Sequence, residues 1–333
     1  MKMKLKGLYI LDKGAFNLIY GPEEQKDIVE LVDIIASPQN RDSIAKESSL
    51  LKDIDVIISG WGGPVMNAQF LSSAPNLKAV FYGAGSIRNI TSDEFWNRRI
   101  CITSAYAANA IPVAEYTSSV ILLSLKSFWR LTRIVRTGKS FPKVRDVSGA
   151  YKSTVGLVSM GMIGRLVRER LRSSELRVVA FDPFLSSELA GKLGVESVSL
   201  DQLFRESDVV SLHTPWLPET EGMITGRHFE SMKTGATFIN SARGAVVRET
   251  EMVEVLNRRQ DLTAILDVTY PEPPGNDSPL YTLPNVVLTP HIAGSMGLEC
   301  RRMGRYMVEE LRRYLAGQQL KWNITKEMAK NAA

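Results

Sequence analysis

Short apolar runs rich in valine and isoleucine recur along this chain, and they dictate its fold class. They include "KGLYIL", "VDIIAS", "DVIIS", "LKAVFYG", "ICITS", "TVGLVS", "RVVAFD", "DVVSLH", "ATFINSA", "TAILDV" and "NVVLTP". A strand with one wet face alternates apolar and polar residues, whereas a strand covered on both faces reads apolar throughout, as in parallel sheets. Stretches with helical spacing separate the runs, among them "SSELAGKLG", "SLDQLFRES" and "RETEMVEVLNRR". Strands alternating with helices predict an α/β fold with doubly wound parallel sheets.

The 333 residues suffice for about two domains. No apolar run reaches the ~18 residues that a membrane span needs. The basic start "MKMKLKGLYILDKG" has a short apolar stretch and no small-residue cleavage site, so it reads as a first strand rather than a signal peptide. Two cysteines, Cys101 and Cys300, make no disulfide scaffold and suit a reducing cytoplasm. The net charge of +5 comes from basic residues interleaved with acids, as in "RLVRERLRSSELR". That is the pattern of solvated helix faces, so neither nucleic acid nor membrane is an expected partner, while a modest positive field suits an anionic small substrate. The stretch "NAIPVAEYTSSVILLSLKSFWRLTRIVRTG" (109–138) predicts one long helix, buried at its start and available for a subunit contact. The segment "GLECRRMGRYMVEELRRYLAG" predicts an amphipathic helix, and the tail from Asn323 is expected to fray.

The stretch "TVGLVSMGMIGRLVRERL" (154–171) resembles a dinucleotide cradle. Such a cradle needs a strand, a glycine-rich turn opening a helix, and an acid about 20 residues on for the adenosine ribose. "TVGLV" supplies the strand and "IGRLVRERLR" the helix, whose first backbone N–H groups suit a diphosphate. Asp182, ending "RVVAFD", is the acid; with no arginine after it, NAD is favoured over NADP. Gly161 and Gly164 occupy two of the three glycine positions, and Ser159 replaces the first, where positive φ costs a side chain about 1–2 kcal/mol. Ser159, Met160, Gly161, Met162 and Ile163 form the candidate cradle.

Ionisable residues collect just after other predicted strands: His213 after "VVSL", Arg243 after "FINSA", Asp267 and Glu272 after "TAIL", and His291 after "VVLTP". Ligands in open α/β sheets sit beyond the carboxyl ends of the strands. An arginine, an acid and a histidine there suit a carboxylate-bearing substrate: the arginine grips oxygen, the histidine moves a proton and the acid holds the histidine charged. Taken singly, Arg243 could merely close a turn, Glu272 be a solvated loop acid and His213 a satisfied core residue. His228, in "TGRHFESMK", reads as a surface residue.

The run "VSLHTPWLPETEGMI…FINSARGAVV…AILDVTYPEPP…NVVLTPHIA" closely resembles the NAD-dependent D-isomer-specific 2-hydroxyacid dehydrogenases in order, spacing and context, over most of residues 105–300. The first third matches more weakly, through "YGAGS" and "ITSAYAANAIPVAE", the latter with Asn109, Val113 and Glu115 in matching places. The resemblance implies that His291 is the acid/base, that Glu272 favours its imidazolium form, and that Arg243 binds the substrate's carboxylate and carbonyl. It also implies that Asp267 lies near the nicotinamide carboxamide, that His213, Thr214, Pro215, Ala242 and Gly294 line the cofactor site, and that backbone amides of Ala84 and Gly85 hold the substrate carboxylate. No metal is implied. It further implies a Rossmann-type NAD domain (105–296) inserted in a flavodoxin-like substrate domain (1–104 plus 297–333), with the site in the cleft between them, and a homodimer built through the NAD domain.

Two departures bear on substrate. Phosphoglycerate-oxidising members of the family usually carry an arginine after the third strand, where this chain has Ser59, followed by Trp61, Gly62 and Gly63. After the glycine loop "IRNI" places Arg88 where polar or acidic residues are typical. The expected activity is reduction of a 2-keto acid of the glyoxylate or hydroxypyruvate kind. The alternatives are an NAD(H)-sensing, corepressor-like binding protein, a phosphoglycerate dehydrogenase-type activity, and oxidation of formate or phosphite.

Overall fold

A computed structural model describes residues 4–331. The chain divides into two compact units, one made of Met1–Asn109 and Ser295–Ala333, the other of Ala110–Gly294. Each is built on one parallel sheet.

The first unit carries β1 (Lys6–Ile10), β2 (Asp33–Ile34), β3 (Val56–Ser59), β4 (Ala79–Tyr82) and β5 (Cys101–Ser104) in the order β2-β1-β3-β4-β5. This is the flavodoxin-like order. The second unit carries β6 (Thr154–Val158), β7 (Arg177–Phe181), β8 (Glu196–Ser197), β9 (Val209–Leu212), β10 (Thr237–Asn240), β11 (Thr263–Leu266) and β12 (Val286–Leu288). Their order, β12-β11-β10-β9-β6-β7-β8, is the dinucleotide-binding order with one added strand, and it reverses direction between β6 and β9.

Burial explains the apolar runs. Phe238 and Ile239 are neighbours on β10 yet belong to different hydrophobic clusters, because successive strand side chains point to opposite faces. Phe238 packs with Phe204 and Phe229 on one face; Ile239 packs with Leu157 and Val167 on the other. Ile57 and Ile58 on β3 divide the first unit's core in the same way. Both sheets are covered on both sides, as the absence of alternation requires. The helix Glu299–Leu315 buries Met303, Met307 and Leu311, spaced four apart, in the first unit's core.

Three expectations need correction, and one strand went unannounced. The stretch 109–138 is two helices, Tyr106–Leu125 and Phe128–Gly138, because Ser127 takes a left-handed φ of 49° and turns the chain. No side chain of the second helix is buried. His228 is buried: its Nδ1 accepts the Thr225 N–H at 3.0 Å, completing a helix cap, and its ring packs on Phe204. The tail from Asn323 is docked, with Asn323 bridged to Thr103, Ile324 buried and a helix over Lys326–Asn331; Ala332 and Ala333 lie outside the described residues. Finally, β8 has no apolar run to announce it, since its two residues are both exposed.

Candidate active site

In the second unit the sheet order reverses at β6, and the loop leaving β6 opens the helix Met162–Arg170. Ser159 sits in the left-handed region at φ 79°, the place where a glycine is cheapest. Its N–H donates to the Phe181 carbonyl at 2.8 Å, and its hydroxyl donates to Asp182 Oδ2 at 3.3 Å. The Met160 N–H donates to the same oxygen at 2.7 Å, while Arg165 Nε donates to the Met160 carbonyl at 2.7 Å. The loop is thus fixed on both sides of Met160. Arg165 was not singled out from sequence, where it reads as one more cation on a basic helix.

This loop fits a dinucleotide. Gly161 caps the helix without any side-chain partner for the first N–H groups, and a Cβ there would meet only Ser159 Oγ, at 3.9 Å. The backbone therefore stands open to an approaching phosphate. At Gly164 a Cβ would lie 2.3 Å from the Ser159 carbonyl oxygen, so glycine is required where helix meets strand. Beyond β9, His213 is buried and its Nε2 has no hydrogen-bond partner among the described residues. Burial pushes its pKa down to about 4, leaving a neutral ring with an unsatisfied nitrogen. Thr214 is buried beside it, and the Pro215 carbonyl accepts the Thr220 hydroxyl at 2.6 Å.

Arg243, Glu272 and His291 leave the ends of β10, β11 and β12, three adjacent strands. Glu272 Oε1 lies 2.6 Å from His291 Nδ1. This fixes Nδ1 as the donor toward the carboxylate and leaves Nε2 for other work. His291 itself is held at φ 55°, an uncommon backbone state for a non-glycine residue. Arg243 is largely desolvated, which pushes its guanidinium below the ordinary arginine range, while nearby Glu272 opposes that shift. It stays charged nonetheless. Its Nη1 donates to the Ala242 carbonyl at 2.6 Å.

Asn240, not anticipated from sequence, brackets this arginine. Its Oδ1 accepts the Ala242 N–H at 3.0 Å and its Nδ2 donates to the Arg243 carbonyl at 3.0 Å. An asparagine at a strand end, able to bond its own downstream backbone, was the available signal. Asp267 plays the matching part for His291. Its carboxylate accepts from Thr289 Oγ1 at 2.6 Å, Ile292 N at 2.8 Å and Ala293 N at 2.9 Å, and its carbonyl accepts the His291 N–H at 3.1 Å. Gly294 follows this loop directly. Beside Glu272, Tyr270 packs edge-on against Trp216 with ring centroids 5.3 Å apart.

In the first unit Ala84 and Gly85 follow β4, and both of their carbonyls accept Ser104 Oγ, at 2.8 and 2.5 Å. The Ala84 N–H is spent on the Tyr82 carbonyl at 2.8 Å. Ser59 is buried with its hydroxyl bonded to the Ile10 carbonyl, whereas Trp61 and Arg88 are exposed.

Residues 118–293 match the family model of the D-isomer specific 2-hydroxyacid dehydrogenase NAD binding domain. The chain belongs to this family. NAD is the cofactor of the matched domain. Among relatives, the chain is 34% identical over 246 residues to a D-3-phosphoglycerate dehydrogenase of Archaeoglobus fulgidus, covering 74% of this chain and 47% of that one. It is 32% identical over 272 residues to a glyoxylate reductase of Korarchaeum cryptofilum, covering 80% and 82%. The chain spans about half the length of the phosphoglycerate dehydrogenases it matches. The NAD-complexed D-isomer specific 2-hydroxyacid dehydrogenase of Lactobacillus delbrueckii ssp. bulgaricus shares the fold, with a TM-score of 0.78 at 21% identity over 96% of this chain and 100% of that one.

Proposed function

We propose that this protein is an NAD-dependent oxidoreductase that interconverts a 2-keto acid and the corresponding D-2-hydroxy acid, with glyoxylate or hydroxypyruvate as the model substrate. The observation that carries the reading is the 2.6 Å contact between Glu272 and His291 Nδ1, with Arg243 at the end of the adjacent strand. A nicotinamide dinucleotide held at the cradle would supply the hydride chemistry. Arg243 grips the substrate's carboxylate and carbonyl oxygens, where its desolvation strengthens the pairing. His291 gives the proton on Nε2 to the carbonyl oxygen, and Glu272 stabilises the charged ring before transfer. Asp267 and Asn240 hold the two loops in place.

A panel of 2-keto acids offered with NADH and with NADPH tests this reading. Turnover of short-chain members with NADH is expected. Cofactor binding without turnover of any member would overturn the enzymatic assignment in favour of a sensor.

One observation favours a phosphate-bearing substrate as the second reading. Ser59 provides no cation at the end of β3, but Arg41 Nη2 donates to the Gly63 carbonyl on that loop at 2.8 Å. Turnover of 3-phosphoglycerate that is lost in Arg41→Ala would promote this reading above the first.

A homodimer is part of the proposal. The helix Phe128–Gly138 has no buried side chain, Leu122, Leu123 and Phe128 are exposed, and a groove of about 350 Å³ is lined by Phe128, Leu131 and Val135 with Lys126, Thr132 and Arg136. An exposed patch of this kind suits a second copy of the chain. Light scattering that gives a monomer mass at micromolar concentration would refute it. No described helix is long and apolar enough to cross a membrane, and the two free thiols support a cytoplasmic location.

A further inference from the structure

The cradle's serine does more than tolerate a glycine's conformation. We propose that Ser159 sets the choice between NADH and NADPH, by pinning the Asp182 carboxylate that meets the adenosine ribose. The inference rests on the reading that a dinucleotide binds at this loop.

Three observations carry it. Ser159 holds a left-handed φ of 79°, disfavoured for a residue with a side chain, that glycine would take freely. What the serine gains in return is a hydrogen bond to Asp182 Oδ2, on the same oxygen that accepts the Met160 N–H. On the other oxygen, Oδ1 accepts the Phe184 N–H at 2.8 Å. A carboxylate has about four acceptor sites. The described residues fill three and leave one, on Oδ1, for a ribose hydroxyl.

The second consequence concerns movement. An acid that could turn aside would admit a 2′-phosphate, which carries about two negative charges. Turning Asp182 breaks its bonds to Ser159, Met160 and Phe184 together. In sequence the acid is followed by Pro183 and Phe184 rather than by an arginine, and Arg165 bonds the Met160 carbonyl through Nε. Selectivity therefore comes from an acid that cannot move, and the serine hydroxyl is one of the three restraints on it.

The experiment is a fluorescence titration of the full chain and of its Ser159→Gly and Ser159→Ala variants with NADH and NADPH, with circular dichroism to confirm folding. The wild-type protein is expected to bind NADPH at least about tenfold more weakly, since the acid repels the 2′-phosphate. In both variants the NADH preference, the ratio of the two affinities, should narrow about 3- to 10-fold, the value of one lost hydrogen bond. Ser159→Gly folds without backbone strain and keeps the test alive if the alanine variant does not fold. An unchanged NADH/NADPH ratio in the glycine variant overturns the proposal. So does a parallel loss of both affinities beyond tenfold, which would mean that the hydroxyl touches the cofactor directly. A wild-type protein that binds neither dinucleotide overturns the cofactor reading as well.

Discussion

Asp182 and Asp267 do similar work at two strand ends, and they differ in one respect. Each accepts hydrogen bonds from a neighbouring loop that carries a non-glycine residue at positive φ: Ser159 beside Asp182, His291 beside Asp267. Asp267 is 2% exposed and its carboxylate takes a hydroxyl and two backbone N–H groups from residues 289–293. Asp182 is only half-buried, and one acceptor position on Oδ1 stays open. The buried acid is an internal brace that aims a side chain. The half-buried acid is a brace with one face left for a ligand. Each carboxylate accepts three hydrogen bonds from the protein, so what separates their roles is whether the remaining acceptor site is buried or exposed.

That contrast can be broken most strongly at the buried end. Asp267→Ala leaves the Ile292 and Ala293 N–H groups without their acceptor and frees the histidine loop. Turnover should fall about 10²-fold, the scale expected for a reacting group misplaced by about an ångström, with NADH affinity changed far less. A drop of less than fivefold in steady-state kcat would show that Asp267 does not aim His291.

The cofactor side has its own buried group, which tests whether exposure alone separates the two regions. His213 is depressed to about 4 from an ordinary value of 6.5 by burial. The unfolded chain therefore binds a proton that the folded chain refuses between those two values. Stability is intact above pH 6.5 and is lost as pH falls toward 4, by up to about 3 kcal/mol. Urea unfolding at pH 7 and pH 5 should show His213→Asn losing less stability on acidification than the wild type. Equal losses would contradict the buried neutral ring.

A smaller effect is expected at Glu272. Glu272→Gln keeps a hydrogen-bond acceptor for His291 Nδ1 and removes the charge, so kcat should fall about tenfold, near 1.4 kcal/mol. An unchanged rate–pH profile would remove Glu272 from the proton-handling pair. The smallest effect belongs to Ser159→Gly, where relief of the left-handed φ and loss of the weak bond to Asp182 nearly cancel. Thermal unfolding should move by no more than about 1 kcal/mol in stability.

Both sheets were legible in the sequence because a doubly covered strand cannot hide its lack of alternation, and the eleven quoted runs needed no motif to be seen. Arg243, Glu272 and His291 could be singled out because each follows such a run, where the fold places ligands. The residues that steady them were not legible in the same way. Thr289 and Arg165 act across loops that meet only in three dimensions, so their spacing in sequence carries no period. His228 misled because a polar residue in a short helix looks solvated until Phe204 is seen against its ring. Ser127 misled because nothing in "LKSFWR" forbids a helix, yet its backbone turns left-handed there.

The most direct test of the account is single-turnover hydride transfer from NADH to glyoxylate or hydroxypyruvate by His291→Ala, alongside NADH binding to the same variant. With His291 as proton donor, transfer should slow by about 10²–10⁴-fold while NADH affinity stays within threefold of wild type. Transfer within a few fold of the wild-type rate would contradict the account and move the proton to another group.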